Sequence, residues 1–142
     1  MDVSNSKCHE YIEKNYMFYL SFENSICEDY VTEKFWKFLN GNLVPVVLGG
    51  ANYDKIAPPH SFINAMDFSS PNDLAEYLKY LISNSTAYNE YFRWVNYFNV
   101  YQEGYRVMCQ ICEKLNENPS KTKVYQDIKH WWRDEANCKT NL

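Results

Sequence analysis

No stretch of this sequence approaches the roughly 20 apolar residues that a membrane-spanning helix needs. Its first residues, MDVSNSKCHE, have neither the basic start nor the apolar core of a secretory signal. Positive charge is also short. Fourteen Lys and Arg stand against eighteen Asp and Glu, a net charge of −4, so the chain has no general attraction to nucleic acid or anionic lipid. Internal repeats and low-complexity segments are absent. So are a DxD pair and a second CxxC or HxxxH that would complete a zinc site. Glycine numbers only four, and the pair Gly49–Gly50 is too little for a dinucleotide fingerprint.

The sequence is rich in aromatics, which make up 18% of its 142 residues, enough mass for one ordinary domain with a real core. The informative stretch is Tyr16 to Asn40. Tyr16 to Leu20 is a short apolar run suited to a strand buried on both faces. Phe22, Glu23, Asn24 and Ser25 form a polar exit from it, Asp29 or Thr32 is placed to cap a helix, and Phe35, Trp36, Phe38 and Leu39 give that helix an apolar face. A strand, a polar loop and a helix start carrying Lys34 have the makings of an anion site. The same residues also fit an ordinary strand-to-helix connection with Glu33 and Lys34 in solvent.

The rest of the chain alternates in the same manner. Lys7 to Asn15 reads as a short amphipathic helix presenting Cys8, Tyr11 and Ile12. Asn40 to Asn42 stops the helix before it, and Leu43 to Leu48 reads as a second buried strand. There Pro45 must sit at the start or where its missing N–H faces no partner. Gly49 and Gly50 at its end either turn the chain or let its backbone approach a ligand. His60, beside two prolines, reads as structural. A third strand falls within Ser61 to Met66. Ser70 with Pro71 opens a helix carrying Leu74, Tyr77, Leu78, Leu81 and Ile82, which Asn84 ends. Asn84-Ser85-Thr86 is a glycosylation sequon in what reads as a polar turn. Tyr88 to Phe98 reads as a well-buried aromatic helix, Tyr101 to Leu115 as a helix carrying Cys109 and Cys112, and Asn116 to Lys121 as a linker. Val124, Ile128, Trp131 and Trp132 form the apolar side of a last helix that docks back. Cysteines 8, 27, 109, 112 and 138 are odd in number. Cys109–Cys112 admits a redox pair, half a zinc site or two disulfide halves, of which structural disulfides fit best here.

The motifs FYLSFENS, DYVTEKFW and VPVVLGGANYDKIAPPHSFINAMDF closely resemble the donor-binding part of the α1,3-fucosyltransferases, glycosyltransferase family 10, over Cys8 to Arg133. The run GGANYDKIAPPHS and Cys27 in the loop look most like the core-type enzymes that act on the asparagine-linked GlcNAc of N-glycans. The resemblance implies an α/β fold, the Rossmann-like C-terminal domain of a glycosyltransferase-B architecture, with a partial parallel sheet, flanking helices and C-terminal helices. Residues 1–118 would be the partial donor domain and residues 119–142 a C-terminal helix and tail. It implies inverting transfer of fucose from GDP-fucose to GlcNAc of glycoprotein glycans. By place in FENSxxxDYxTEK, Asn24, Tyr30, Glu33 and Lys34 would bind GDP-fucose, with Glu23, Gly49 and Gly50 as second choices.

The general base would lie in an acceptor domain outside this sequence, leaving the fragment inactive alone. No metal or other cofactor is expected. The resemblance implies that Cys109 and Cys112 bridge to upstream cysteines, and that a full-length form is a type II Golgi membrane protein. The alternatives are a catalytically incompetent fragment or an aromatic-rich carbohydrate- or nucleotide-binding module.

Overall fold

In a computed structural model, which describes residues 3–39, 41–100, 105–117 and 124–139, three parallel strands form the centre. β1 (Phe18–Phe22), β2 (Val44–Leu48) and β3 (Ile63–Asn64) lie in that order. The register runs Phe18↔Val44 to Phe22↔Leu48 on one side of β2 and Val46↔Ile63 to Val47↔Asn64 on the other. Around them are α1 (Val3–Asn15), α2 (Glu33–Leu39), α3 (Tyr53–Ile56), α4 (Pro71–Ser83), α5 (Ser85–Glu90), α6 (Tyr105–Asn116) and α7 (Ile128–Arg133).

Alternation along β2 builds the core. Val44 and Val46 pack with Ile63, Leu81 and Tyr91 on one face, whereas Val47 packs with Phe35, Leu39, Tyr53 and Trp94 on the other. Successive side chains of a strand point to opposite faces, so a fully apolar strand needs a cover on each. α2 and α4 provide these covers, and the result is the expected α/β layering. Pro45 fits because of hydrogen-bond alternation. The Val44 N–H donates to the Met17 carbonyl on the β1 side, so the Pro45 nitrogen faces the β3 side, where pairing starts only at Val46. Ser70 caps α4 as expected, its hydroxyl accepting from the Asp73 N–H.

Several expectations need correction. β1 begins at Phe18 and not Tyr16, and it is not buried on both faces: it pairs with β2 alone among the described strands, and Leu20 is exposed. α1 turns His9 toward Phe38, with ring centroids 5.1 Å apart, and leaves Tyr11 and Cys8 in solvent. The aromatic helix of Tyr88 to Phe98 is broken into α5 and a 3₁₀ turn (Arg93–Asn96), burying Tyr91 and Trp94 while Val95, Tyr97 and Phe98 stay exposed. His60 takes a positive φ of 56° and stacks on Tyr91 at 4.1 Å, a structural contact.

The sequon is not in a free turn either. Asn84 joins α4 to α5, its Oδ1 accepting from the Ala87 N–H and its Nδ2 donating to the Tyr80 hydroxyl. The helix stop at Asn40, the linker residues 118–121 and the 118/119 boundary lie outside the described residues.

Tyrosine hydroxyls fasten the layers. Tyr88 donates to the carbonyls of Met17 (2.7 Å) and Asn42 (3.2 Å), joining the segments that lead into β1 and β2, and Tyr77 and Tyr91 share a 2.7 Å hydrogen bond. Burial pushes the Tyr88 phenol up to about 12. It pushes Tyr91 higher still, helped by the bond to Tyr77, and Tyr53 to about 12, helped by the charge of Glu23. A phenol whose folded pKa exceeds the ordinary value near 10 stabilises the fold fully below that value, and the contribution is lost as pH rises through the folded pKa. We therefore expect unfolding free energy to fall between pH 10 and about 12, with phenolate absorbance for these tyrosines appearing together with loss of ellipticity. Ionisation of all tyrosines near pH 10 in a still-folded chain would contradict this packing.

Candidate functional site

The site is built where β1 runs out. The Glu23 N–H donates to the Leu48 carbonyl at 2.9 Å, extending the β1–β2 ladder by one step, so Glu23 stands at the C-terminal edge of the sheet beside Gly49. Its side chain is 0% exposed. A carboxylate so placed must find donors or lose several kcal/mol of hydration uncompensated. It accepts from the Thr32 N–H (2.8 Å) and hydroxyl (2.7 Å), and Lys34 Nζ lies 3.9 Å from its Oε2. Lys34 Nζ also donates to Asn24 Oδ1 at 2.6 Å and to the Phe22 carbonyl at 3.1 Å. The Ser21 hydroxyl donates to the Lys34 carbonyl at 3.1 Å, fixing the start of α2 to β1. Spacing thus becomes shape: residues 21–24 and 32–34 close a loop through one buried acid and one half-buried cation.

Of the two expected caps, Asp29 takes a positive φ of 57° in a turn before the helix, and Thr32, directly ahead of α2, donates its hydroxyl to Glu23. Gly49 and Gly50 are required by the packing of the protein itself. A Cβ on Gly49 would collide with the Tyr53 hydroxyl and press on Glu23, and one on Gly50 would meet the Cys27 backbone. The Tyr53 hydroxyl is buried without a hydrogen-bond partner.

Beyond the loop, the C-terminal segment closes a groove of about 1120 Å³ whose lining includes Glu23, Asn24, Tyr30, Trp131, Trp132 and Arg133. Two backbone hydrogen bonds, Glu28 N–H to the Ala136 carbonyl and Lys139 N–H to the Ile26 carbonyl, both 2.8 Å, hold the wall, and the Cys27–Cys138 disulfide locks it. The tail therefore docks through residues 136–139 and not through the apolar side of α7, where Val124, Ile128 and Trp132 stay exposed. Of the expected site residues, Asn24 and Tyr30 line the groove, Lys34 reaches it only through Asn24, and Glu33 is exposed at the first position of α2.

The sequence reading missed Arg133, Lys139 and the two tryptophans as groove residues. The available signal was that Cys27 and Cys138 were the cysteines flanking the loop and the tail. Cys8, Cys109 and Cys112 are exposed free thiols. Among the described residues no group of three or more His, Cys, Asp or Glu is placed to hold a metal ion, and no helix is long and apolar enough to cross a membrane.

Two substitutions test this construction. Glu23→Gln should lower unfolding free energy by about 1.5–3 kcal/mol, the value of a hydrogen bond to a charged group, read from the urea midpoint. Cys138→Ser should cost about 2–5 kcal/mol, the usual range for losing a native disulfide, and should expose residues 134–139 to limited proteolysis. An unchanged midpoint in either variant would contradict the contacts described.

Residues 1–131 match the family described as Glycosyltransferase family 10 (fucosyltransferase) C-term. The chain is 39% identical over 138 residues to alpha-(1,3)-fucosyltransferase C of Drosophila melanogaster, covering 95% of this chain and 32% of that protein. It is 40% identical over 142 residues to glycoprotein 3-alpha-L-fucosyltransferase A of the same organism, covering 94% and 27%. The chain thus spans about a third of the length of the curated relatives it matches. Among solved structures, an alpha1,3-fucosyltransferase crystallised with GDP-fucose superposes with a TM-score of 0.53 at 25% identity, over 79% of this chain and 34% of the other. The partial parallel sheet with flanking helices is accordingly the Rossmann-like part of a glycosyltransferase-B fold. By sequence motif, family match and fold, this chain belongs to the C-terminal domain of glycosyltransferase family 10, the fucosyltransferases.

Proposed function

We propose that this chain is the donor-binding part of an inverting α1,3-fucosyltransferase, which transfers L-fucose from GDP-fucose to GlcNAc of glycoprotein glycans. The observation that carries this reading is the superposition on an α1,3-fucosyltransferase bound to GDP-fucose over 79% of the chain. The polar loop at the C-terminal edge of the sheet fits it, since parallel sheets present their ligand loops there.

In this reading Lys34 neutralises the diphosphate. Asn24 and the Phe22 carbonyl hold its ammonium in the unliganded chain, and a phosphate oxygen takes the place of one of them. Glu23 keeps the ammonium from swinging away. Tyr30 donates its hydroxyl to a phosphate, and Asn24 and Glu33 hold hydroxyls of ribose or fucose. Inversion requires the acceptor hydroxyl to attack C1 of fucose from the face opposite the departing GDP, while a base removes its proton. A preorganised donor aimed at the leaving diphosphate contributes roughly 3–4 kcal/mol, and Lys34 supplies this charge without a metal ion.

Glu33, beside Lys34 on the donor side, is on the wrong face to serve as the base. The base belongs to the acceptor domain of a longer protein, a Golgi enzyme anchored in the membrane. A chain spanning about a third of its relatives favours donor binding without turnover for these 142 residues alone.

Calorimetric titration with GDP and GDP-fucose tests the reading. We expect saturable binding that Lys34→Ala weakens by about 1.5–3 kcal/mol, and no fucosylated product when the chain is incubated with GDP-fucose and N-glycan acceptors. Equal binding by the variant would displace the phosphates from Lys34. Multiple turnovers would place a base within this chain.

A further inference from the structure

The groove between the 23–30 loop and the 131–139 tail is larger than the donor reading uses, and its tail wall has a chemistry of its own. We propose that this wall binds a neutral oligosaccharide, the part of the acceptor glycan that extends beyond the sugar receiving fucose. The inference rests on the fucosyltransferase reading and adds a subsite to it.

Three observations converge. First, Trp131 and Trp132 stand side by side in the lining with centroids 5.8 Å apart and planes tilted by 57°, and Trp132 is 59% exposed. An indole face presented to solvent beside a cavity suits the C–H face of a sugar ring, which stacks on it without charge. Second, the tail wall carries no net charge. Asp134 and Glu135 are matched in number by Arg133 and Lys139, and Asp134 is held by His130 at 2.7 Å. A wall without net charge has no general attraction for a diphosphate, yet Glu135 offers carboxylate oxygens to sugar hydroxyls, so a neutral glycan suits it.

Third, the wall is already rigid. The Cys27–Cys138 disulfide and the two backbone hydrogen bonds to residues 26 and 28 hold it in place, so little ordering cost falls on binding.

The test uses the 142-residue chain labelled with ¹⁵N. The indole N–H signals of Trp131 and Trp132 are assigned with Trp131→Phe and Trp132→Phe. The chain is then titrated with chitotriose, a neutral N-acetylglucosamine trimer, and separately with GDP. We expect chitotriose to move both indole signals saturably. Trp132→Ala should weaken its binding roughly two- to tenfold, the stacking contribution of one aromatic face converted to affinity. Glu135→Gln, a change on an exposed side chain, should weaken it as well. GDP affinity, read by calorimetry, should be untouched by Trp132→Ala.

Indole signals that ignore chitotriose would overturn the proposal, as would GDP moving the same signals or competing with the trimer there. Loss of GDP binding with the chitotriose response intact would instead count against the donor reading and leave the sugar wall standing.

Discussion

A carboxylate with no access to water is the constraint on which the rest of this domain depends. Glu23 sits at the end of β1, and its burial is tolerable only because three donor groups converge on it: the amide and hydroxyl of Thr32 and the ammonium of Lys34. That requirement fixes where the chain must return after the loop, and hence where α2 begins. It excludes any side chain at position 49, where the Tyr53 ring and Glu23 already fill the space. It also holds the one cation the proposed chemistry needs at the rim of the sheet. Apolar burial of Phe35, Phe38 and Leu39 supplies the larger part of the free energy that docks α2 on the sheet, roughly 1.5–3 kcal/mol per large side chain. The ionic cluster decides its register.

The elements that could be read from sequence were those specified locally. β2 is legible because Val44, Val46 and Val47 leave no polar face, and α4 because Ser70, Pro71 and a stripe of leucines carry both its start and its period. The polar loop between β1 and α2 is legible from the end of the apolar run, and the structure adds a contact across it, Lys34 Nζ to Asn24 Oδ1 at 2.6 Å. What was not legible depended on distant partners. The Tyr88 to Phe98 run has enough aromatic residues for a helix with several buried faces, but Tyr91 and Trp94 alone of them are fully buried, Tyr88 and Phe92 pack at the edge of the core, and the helix breaks between Tyr91 and Trp94. The groove escaped notice because its walls are a hundred residues apart in sequence, and no local pattern marks Trp131, Trp132 or Arg133 as neighbours of Asn24 and Tyr30.

The two halves of the site have different electrostatic characters. The inner loop is organised around a cation held ready by neutral oxygens and one buried acid, whereas the tail wall is aromatic and carries no net charge. A transferase that must hold a charged leaving group and an uncharged glycan at the same time gains selectivity when only one of the two surfaces attracts charge.

The Cys27–Cys138 bond makes a ring of nearly the entire sequence, its two ends separated by 111 positions. β2, β3, α2 and α4 lie inside that ring, whereas α1 and β1 precede it. When such a chain is pulled by its two termini, the force passes through the sulfur atoms and bypasses the ring, so only the segment before Cys27, which carries α1 and β1, and the one after Cys138 can stretch while the bond is intact. Tension arriving at the N-terminus therefore loads the β1–β2 ladder and the contacts of Glu23 and Asn24 first, while Thr32, Lys34 and α2 stay shielded inside the ring.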